Sequence, residues 1–473
     1  MRSMEPERKS LIDSLYGKHV LELGNFLVSS GRNTPYYIDT NRLDDAESLA
    51  GFGRVCAEAL AASGVEFGSM YGIREKGVPL IFAAAAGLAS LGINKGWFYL
   101  RGKPKVYGEA TGTSDKRKMY IVGHLPEAGE PVIAFDDVLT TGATILSALD
   151  DLKRLAGNIR YSAVFIPLDR EEVDIEGRNA IEEFTRKTGI PVITVFKATE
   201  IYEHLMSRDD IDQKAVERVG KYLRVYGTEA AIRRLRELGA VQEQGIMAQD
   251  RSIIIGCDFL EREKLERVVK QTHYLPGVGG YKTCPELQYL NSLEECVGII
   301  RGYTNKPIIH DHKKFGSDVP HTARIMMEGC RKAGVNAVII YGMSGKETQR
   351  ACIYAGLDEG LGIITGGHMT HRGGIIPDER ILDMIKIGAM AGLNNFTAPA
   401  TKPDEFREQI RLVEEAGIGD PVWYPIGIGK QGATIPGVLK IVGKNVHPII
   451  GREIVDAEDH RKAAEELIRQ LYQ

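Results

Sequence analysis

Cysteine is scarce in this chain: six residues in 473, Cys56, Cys257, Cys284, Cys296, Cys330 and Cys352, with no C-x-x-C pair among them. That spacing excludes a disulfide-built scaffold or a zinc ribbon and makes a reducing cytoplasm the expected setting. No apolar run approaches the ~18–20 residues a membrane span needs. The opening MRSMEPERKS lacks the apolar core of a signal peptide, so no membrane association is expected. Charge of one dominant sign is missing too: 60 Lys and Arg stand against 64 Asp and Glu, a net of −4. Without a global positive field nothing recruits nucleic acid, and any anionic ligand must be caught locally.

What is present is ordinary folded protein, 43% apolar and 26% charged. A length of 473 residues implies two or three domains at ~100–200 residues each. Residues 209–248 are dense in charge and helical in period, which predicts a helical connector between domains spanning 1–208 and 249–473. The Arg-rich part of that connector, Ile232 to Arg236, reads as a solvated helix face interspersed with Glu rather than a nucleic-acid patch.

Before the connector, Val132 to Thr144 reads VIAFDDVLTTGAT. A buried apolar strand delivers Asp136 and Asp137 to its C-terminal edge, where open α/β sheets bind ligands. Thr140, Thr141, Gly142, Ala143 and Thr144 then let backbone N–H groups and hydroxyls close around a phosphate at the start of a helix, whose dipole favours an anion. The two acids suit ribose hydroxyls and a bridging metal ion.

Beyond the connector, SIIIGCDF, PGVGGYKT, KPIIHDHK, AVIIYGM, LGIITGG, GLNNFTAP, DPVWYPIG and VHPIIGRE alternate with amphipathic stretches. Eight strands, each generally followed by a helix, predict a (β/α)8 TIM barrel, whose chemistry collects at the strands' C-terminal ends. Those ends carry Asp258, Lys282, Asp311, Lys314, Thr370, Gln431 and Arg452. Acids alternating with lysines at such a mouth can stabilise a carbanion and protonate it. His310, His312, His321, His368 and His371 lack H-E-x-x-H spacing, so no zinc site is expected.

The first of these segments resembles the 5-phosphoribosyl-1-diphosphate (PRPP) signature of type I phosphoribosyltransferases. Its surroundings resemble the orotate phosphoribosyltransferases: Asn25 to Asp39 (NFLVSSGRNTPYYID), Lys76-Gly77-Val78-Pro79, Arg101 to Glu109 (RGKPKVYGE) and Leu168-Asp169-Arg170. The resemblance implies a parallel sheet with flanking helices and Mg²⁺ bound mainly through PRPP rather than by protein ligands. It also implies a mobile loop in which Arg101 and Lys105 grip diphosphate, and an Arg170 that holds the orotate carboxylate. Three positions depart from the family pattern: Ser29 and Gly102 stand where lysine or another basic residue is usual, and Tyr107 replaces a histidine.

The second half resembles orotidine 5'-monophosphate decarboxylases. Asp258 matches a ribose-binding aspartate and Lys282 the second-strand lysine. Asp311 to Thr322 (DHKKFGSDVPHT) occupies the D-x-K-x-x-D-[IV]-x-x-T position, and Met369-Thr370-His371 matches M-S-H. Pro425 to Gly432 (PIGIGKQG), with Gln431 and Gly432, and Gly451-Arg452 match the phosphate grip. Here the acids are Asp311 and Asp318, two residues further apart than the pattern. On a strand Lys313 shares a face with Asp311, whereas added residues suggest a loop and favour Lys314 as proton donor. The resemblance implies no cofactor and a homodimer in which Asp318 and Thr322 reach the partner's site.

Together the halves resemble the fused UMP synthases, with orotate, PRPP and orotidine 5'-monophosphate as small-molecule substrates. Three rival readings are a non-catalytic nucleotide- or RNA-binding first half, a barrel related to metal-dependent sugar-phosphate decarboxylases, and an inactive barrel serving as a dimerisation scaffold.

Overall fold

The computed structural model describes residues 6–28, 31–105, 115, 117–139, 142–174, 176–240, 245–315, 319–371 and 376–473, with the backbone alone at 314 and 315. Its contacts divide the chain into two compact units, Met1–Leu223 with Gly227–Leu238, and Arg224–Tyr226 with Gly239–Gln473.

In the first unit, β1 (Leu21–Leu27) and β2 (Asn33–Ile38) form a two-stranded antiparallel sheet. The main sheet contains β3 (Ser69–Gly72), β4 (Gly96–Leu100), β5 (Ile121–Gly123), β6 (Pro131–Phe135), β7 (Arg160–Asp169) and β8 (Val192–Lys197). Their spatial order is β5-β4-β3-β6-β7-β8, parallel throughout except for β5, which runs against β4. Helices on both faces bury these strands, so they read as continuous apolar runs. On one face Val132 and Ala134 of β6 pack with Val164 and Ile166 of β7 against Ile145, Leu149 and Leu152 of helix Ala143–Ala156. On the other, Phe135 and Phe165 stack at 4.6 Å. Each such side chain, fully buried, contributes roughly 1.5–3 kcal/mol. The helical stretch read from the sequence forms helices Gln213–Tyr226 and Glu229–Glu237; Thr228 starts the second by accepting a hydrogen bond from the Ala231 N–H.

The second unit is a closed barrel of β9 (Ile253–Gly256), β10 (Val278–Thr283), β11 (Ile308–His310), β12 (Ala337–Tyr341), β13 (Gly362–Gly366), β14 (Asn395–Pro399), β15 (Val422–Ile426) and β16 (Ile449–Ile450). Neighbouring strands pair in parallel and in chain order, β16 closing on β9. Each of the eight apolar runs seen in the sequence is one of these strands. Ile254, Ile309, Ala337, Ile339, Tyr341, Ile364, Tyr424 and Ile449 form one buried cluster. In β12 its members are every second residue, the period that fills a barrel interior with side chains and turns the others toward the helices.

Candidate active sites

Strand order in the first sheet reverses at β3 and β6, with β4 on the far side of β3. Ligands of open α/β sheets bind at such a switch point, beyond the carboxyl ends of the strands. Gly72 of β3 lies opposite Phe135 of β6, so the residues after each strand share one edge. Asp136 and Asp137 follow β6, and the Asp137 N–H donates to Asp136 Oδ1 at 3.0 Å. Asp136 is buried, and that burial, followed by the Asp137 charge, pushes its carboxyl up to about 7. Lys76 follows β3 and places Nζ 2.7 Å from Asp137 Oδ2. Burial disfavours its ammonium, but Asp137 outweighs that and holds its pKa above the usual lysine value.

Gly142 turns the chain into the helix with φ of 73°, a conformation glycine adopts at little cost. A Cβ there would stand 2.7 Å from the Phe184 ring. Ala143 and Thr144 are exposed in the first helical turn, where the dipole favours an anion. Thr140 and Thr141 lie outside the described residues.

Arg101 and Lys105 are anchored through their N–H groups to the carbonyls of Tyr120 and Met119, at 2.7 and 2.9 Å. Arg101 Nε is buried with no hydrogen-bond partner among the described residues, a donor that a phosphate oxygen would satisfy. Ser29 and the remainder of the expected loop, with Tyr107, lie outside the described residues.

Arg170, at the end of β7, stacks 4.6 Å above the Tyr36 ring and donates to Glu172 Oε1 at 2.8 Å and Thr34 Oγ1 at 3.1 Å. Burial disfavours the guanidinium, and Glu172 outweighs it, so the charge is held. Thr34 and Tyr36 of the N-terminal motif therefore meet Arg170 of L-D-R, far apart in sequence. Glu172 escaped sequence reasoning because nothing in its local spacing marks it as the partner of Arg170.

At the barrel mouth, strand alternation sends the Tyr281 hydroxyl outward to Thr272, at 2.8 Å, and Lys282 inward. Lys282 Nζ lies 2.7 Å from Asp258 Oδ1 and 2.8 Å from Asp311 Oδ2. Lys313 Nζ bonds the same Asp311 carboxylate and sits 5.7 Å above the Tyr341 ring. The result is an alternating chain, Asp258–Lys282–Asp311–Lys313. Burial pushes the Asp311 carboxyl up, but Lys282 and Lys313 outweigh it and bring it to about 2. Burial likewise opposes the Lys282 charge, and Asp311 and Asp258 raise its pKa above the usual value.

β11 ends at His310 and a 3-10 turn, His312–Phe315, carries both Lys313 and Lys314. The Lys314 side chain and Asp318 lie outside the described residues. Thr322 is not drawn into the chain of charges: its hydroxyl donates to the Val319 carbonyl at 2.8 Å, in an exposed bond. Gly427, Gly429 and Gly432 take φ of 97°, 80° and 102°, shaping the loop that presents the exposed Gln431. Thr370 borders that loop, since a Cβ on Gly427 would lie 2.8 Å from its methyl. Gly451 lies beside Asp258, whose Oδ2 a Cβ there would approach to 3.5 Å, and the exposed Arg452 follows it. Tyr341, the ring beneath Lys313, had no signal in the sequence beyond that of an apolar strand residue.

A switch point with paired acids and a lysine bound to one of them, followed in one chain by a parallel barrel with acids and lysines alternating at its mouth, defines a fused α/β protein with two candidate sites. Over 224 residues, 47% of this chain and 100% of the relative, it is 30% identical to an orotate phosphoribosyltransferase of Marinobacter nauticus. It is 31% identical over 227 residues, 48% of this chain and 100% of the relative, to that of Saccharophagus degradans. The chain belongs to the orotate phosphoribosyltransferase family through its first half, and residues 251–467 match the family model described as orotidine 5'-phosphate decarboxylase / HUMPS family. Among solved structures, orotate phosphoribosyltransferase from Francisella tularensis aligns at 23% identity and a TM-score of 0.39, covering 46% of this chain and 100% of that one. Orotidine 5'-monophosphate decarboxylase from Methanocaldococcus jannaschii, complexed with inhibitor BMP, aligns at 21% identity and 0.43, covering 47% and 100%.

Proposed function

We propose that this chain is a bifunctional UMP synthase: residues 1–208 join orotate to PRPP, residues 249–473 decarboxylate the resulting orotidine 5'-monophosphate, and 209–248 connect them. The observation that carries the reading is the Asp258–Lys282–Asp311–Lys313 chain, because it suits the one substrate that the first half would make.

In the transferase, orotate N1 gives up its proton to solvent and attacks C1' of PRPP, and the C1'–O bond breaks with its electron pair on diphosphate. Arg170 holds orotate, Asp136 and Asp137 position the ribose as positive charge develops on it, and Arg101 and Lys105 stabilise the departing anion. Asp136 and Asp137 offer the oxygen donors Mg²⁺ prefers, but no third His, Cys, Asp or Glu among the described residues joins them. Mg²⁺ brought with PRPP would be held partly by these carboxylates and would neutralise diphosphate charge.

In the barrel, the C6–carboxylate bond breaks and leaves its electron pair at C6. Asp311 holds Lys282 and Lys313 and, with Asp318 as the second acid, crowds the departing carboxylate. Lys313, seated on Asp311, gives the proton that makes UMP, with Lys314 the rival donor. Gln431 and Arg452 anchor the phosphate, a remote contact whose binding energy lowers the barrier. Carbanion and proton donor are both served by side chains, so the step calls for no cofactor.

Exposed apolar residues gather on the segments after β9 to β12: Leu260, Tyr289, Leu290, Val319, Ile325 and Met343. A homodimer of barrels would cover side chains of this kind. No helix among the described residues is long and apolar enough to cross a membrane.

The test is incubation with orotate, PRPP and Mg²⁺, following loss of orotate and appearance of UMP. Asp137→Asn should cripple orotate consumption and spare decarboxylation of supplied orotidine 5'-monophosphate. Decarboxylation that persists in excess EDTA excludes a metal-dependent barrel; no turnover of either substrate by the intact protein overturns the proposal.

A further inference from the structure

Arg74 belongs to none of the sequence motifs, yet it leaves the same sheet edge as Lys76 and Arg101. It follows β3 by two residues, and the Ile73 N–H before it donates at 2.9 Å to the carbonyl of Phe135, the residue preceding Asp136. Lys76, two residues on, is bound to Asp137. On the other side Tyr99 of β4 lies opposite Gly72 of β3, so Arg101 and Gly102 leave the same sheet edge. The Arg74 guanidinium covers Gly102: a Cβ added to that glycine would lie 2.7 Å from Nη1. Arg74 is exposed, and among the described residues no carboxylate pairs with it.

The site is therefore polarised. Asp136 and Asp137 occupy the β6 side with Lys76 paired to Asp137, while Arg74 and Arg101 follow the β3 and β4 ends. A ligand whose one end is ribose and whose other end is a diphosphate matches that polarity in one orientation only. A planar guanidinium with parallel N–H groups is the side chain best shaped to hold two anionic oxygens at once.

We propose that Arg74 is a diphosphate-contacting residue of the transferase, its fork donating to oxygens of the leaving diphosphate from the space above Gly102. Glycine at position 102 is part of the device, because a side chain there would take the volume the guanidinium uses. Arg74 keeps its proton throughout; it offers hydrogen bonds to the electron pair that the breaking C1'–O bond leaves on diphosphate. The inference rests on the transferase reading above and adds a residue to it.

Arg74→Gln tests it in the full-length protein. Its kcat/KM for PRPP should fall on the order of 10²-fold, the usual scale for one lost donor to developing negative charge. KM for orotate and the decarboxylation of supplied orotidine 5'-monophosphate should stay at wild-type values. Inorganic diphosphate with Mg²⁺, titrated calorimetrically, should bind at least tenfold more weakly. In the double variant, Gly102→Lys should recover tenfold or more of the loss by returning a cation to the same space. Wild-type-like kinetics and diphosphate affinity in Arg74→Gln, or an absence of any rescue by Gly102→Lys, would overturn the assignment. If the wild-type protein itself consumes no orotate, the transferase reading fails, and the diphosphate titration still decides whether Arg74 binds that anion.

Discussion

Asp136 is a carboxyl poised to change charge in the range where enzymes are assayed. Burial and Asp137 raise it from the ordinary 3.8 to about 7, so the folded apoprotein holds this proton more tightly than the unfolded chain does. Its contribution to stability is therefore present at low pH and is lost as pH rises through about 7. On the proposed mechanism activity should run the other way, because an ionised Asp136 would favour a ribose acquiring positive charge. The kcat/KM for PRPP should climb with a midpoint near pH 7, and Asp136→Asn should flatten that limb. A profile for Asp136→Asn that matches wild type would assign the titration elsewhere. The same scale shows where sequence reasoning stops. Asp311 and Lys282 were legible because strand ends are legible, but the choice between Lys313 and Lys314 turned on where β11 ends, which no local pattern specifies. With Lys313 on Asp311, Lys313→Ala should slow decarboxylation by about 10²–10⁴-fold, the range of a lost general acid, and Lys314→Ala should not. The reverse pattern assigns the proton to Lys314.

At the scale of elements, the turn from β6 into helix Ala143–Ala156 joins local chemistry to packing. Gly142 combines a φ of 73° with a Phe184 ring 2.7 Å from any added Cβ. Gly142→Ala should cost at least about 1–2 kcal/mol, the penalty for a side chain in the left-handed region, with ring displacement in addition. It should raise KM for PRPP and leave the barrel reaction intact; an unchanged melting temperature and KM would show the turn to be tolerant. This glycine was legible, since a small-residue turn after an acidic strand end has few other uses. The barrel strands were legible for a related reason, their apolar runs being long enough to bury on both sides. The antiparallel pair of β1 and β2 was not foreseen, nor was β5 at the sheet edge. The partners of such strands are chosen by tertiary contacts rather than by their own composition. The meeting of Arg170 with Thr34 has the same origin, for 136 residues separate them.

Across the whole molecule, the stretch expected as a separate connector, 209–248, lies mostly in the first compact unit, which runs through Leu238, and the sequence offered no direct view of surfaces between copies of the chain. Among the residues after β9 to β12, Tyr289 is 75% and Ile325 69% exposed. Thr322 turns its hydroxyl to its own Val319 carbonyl and not to the Asp311 chain. If Asp318 and Thr322 serve the partner's site, a barrel that lacks Lys282 and one that lacks Asp318 are each inactive as homodimers but complementary when mixed. In the hybrid, one site carries both defects and the other carries neither. Random exchange makes half of the dimers hybrid, so a mixture of Lys282→Ala and Asp318→Ala proteins should recover about a quarter of wild-type decarboxylation under two-fold symmetry. A mixture that stays inactive after subunit exchange, verified by differently tagged copies, would place Asp318 in the site of its own chain.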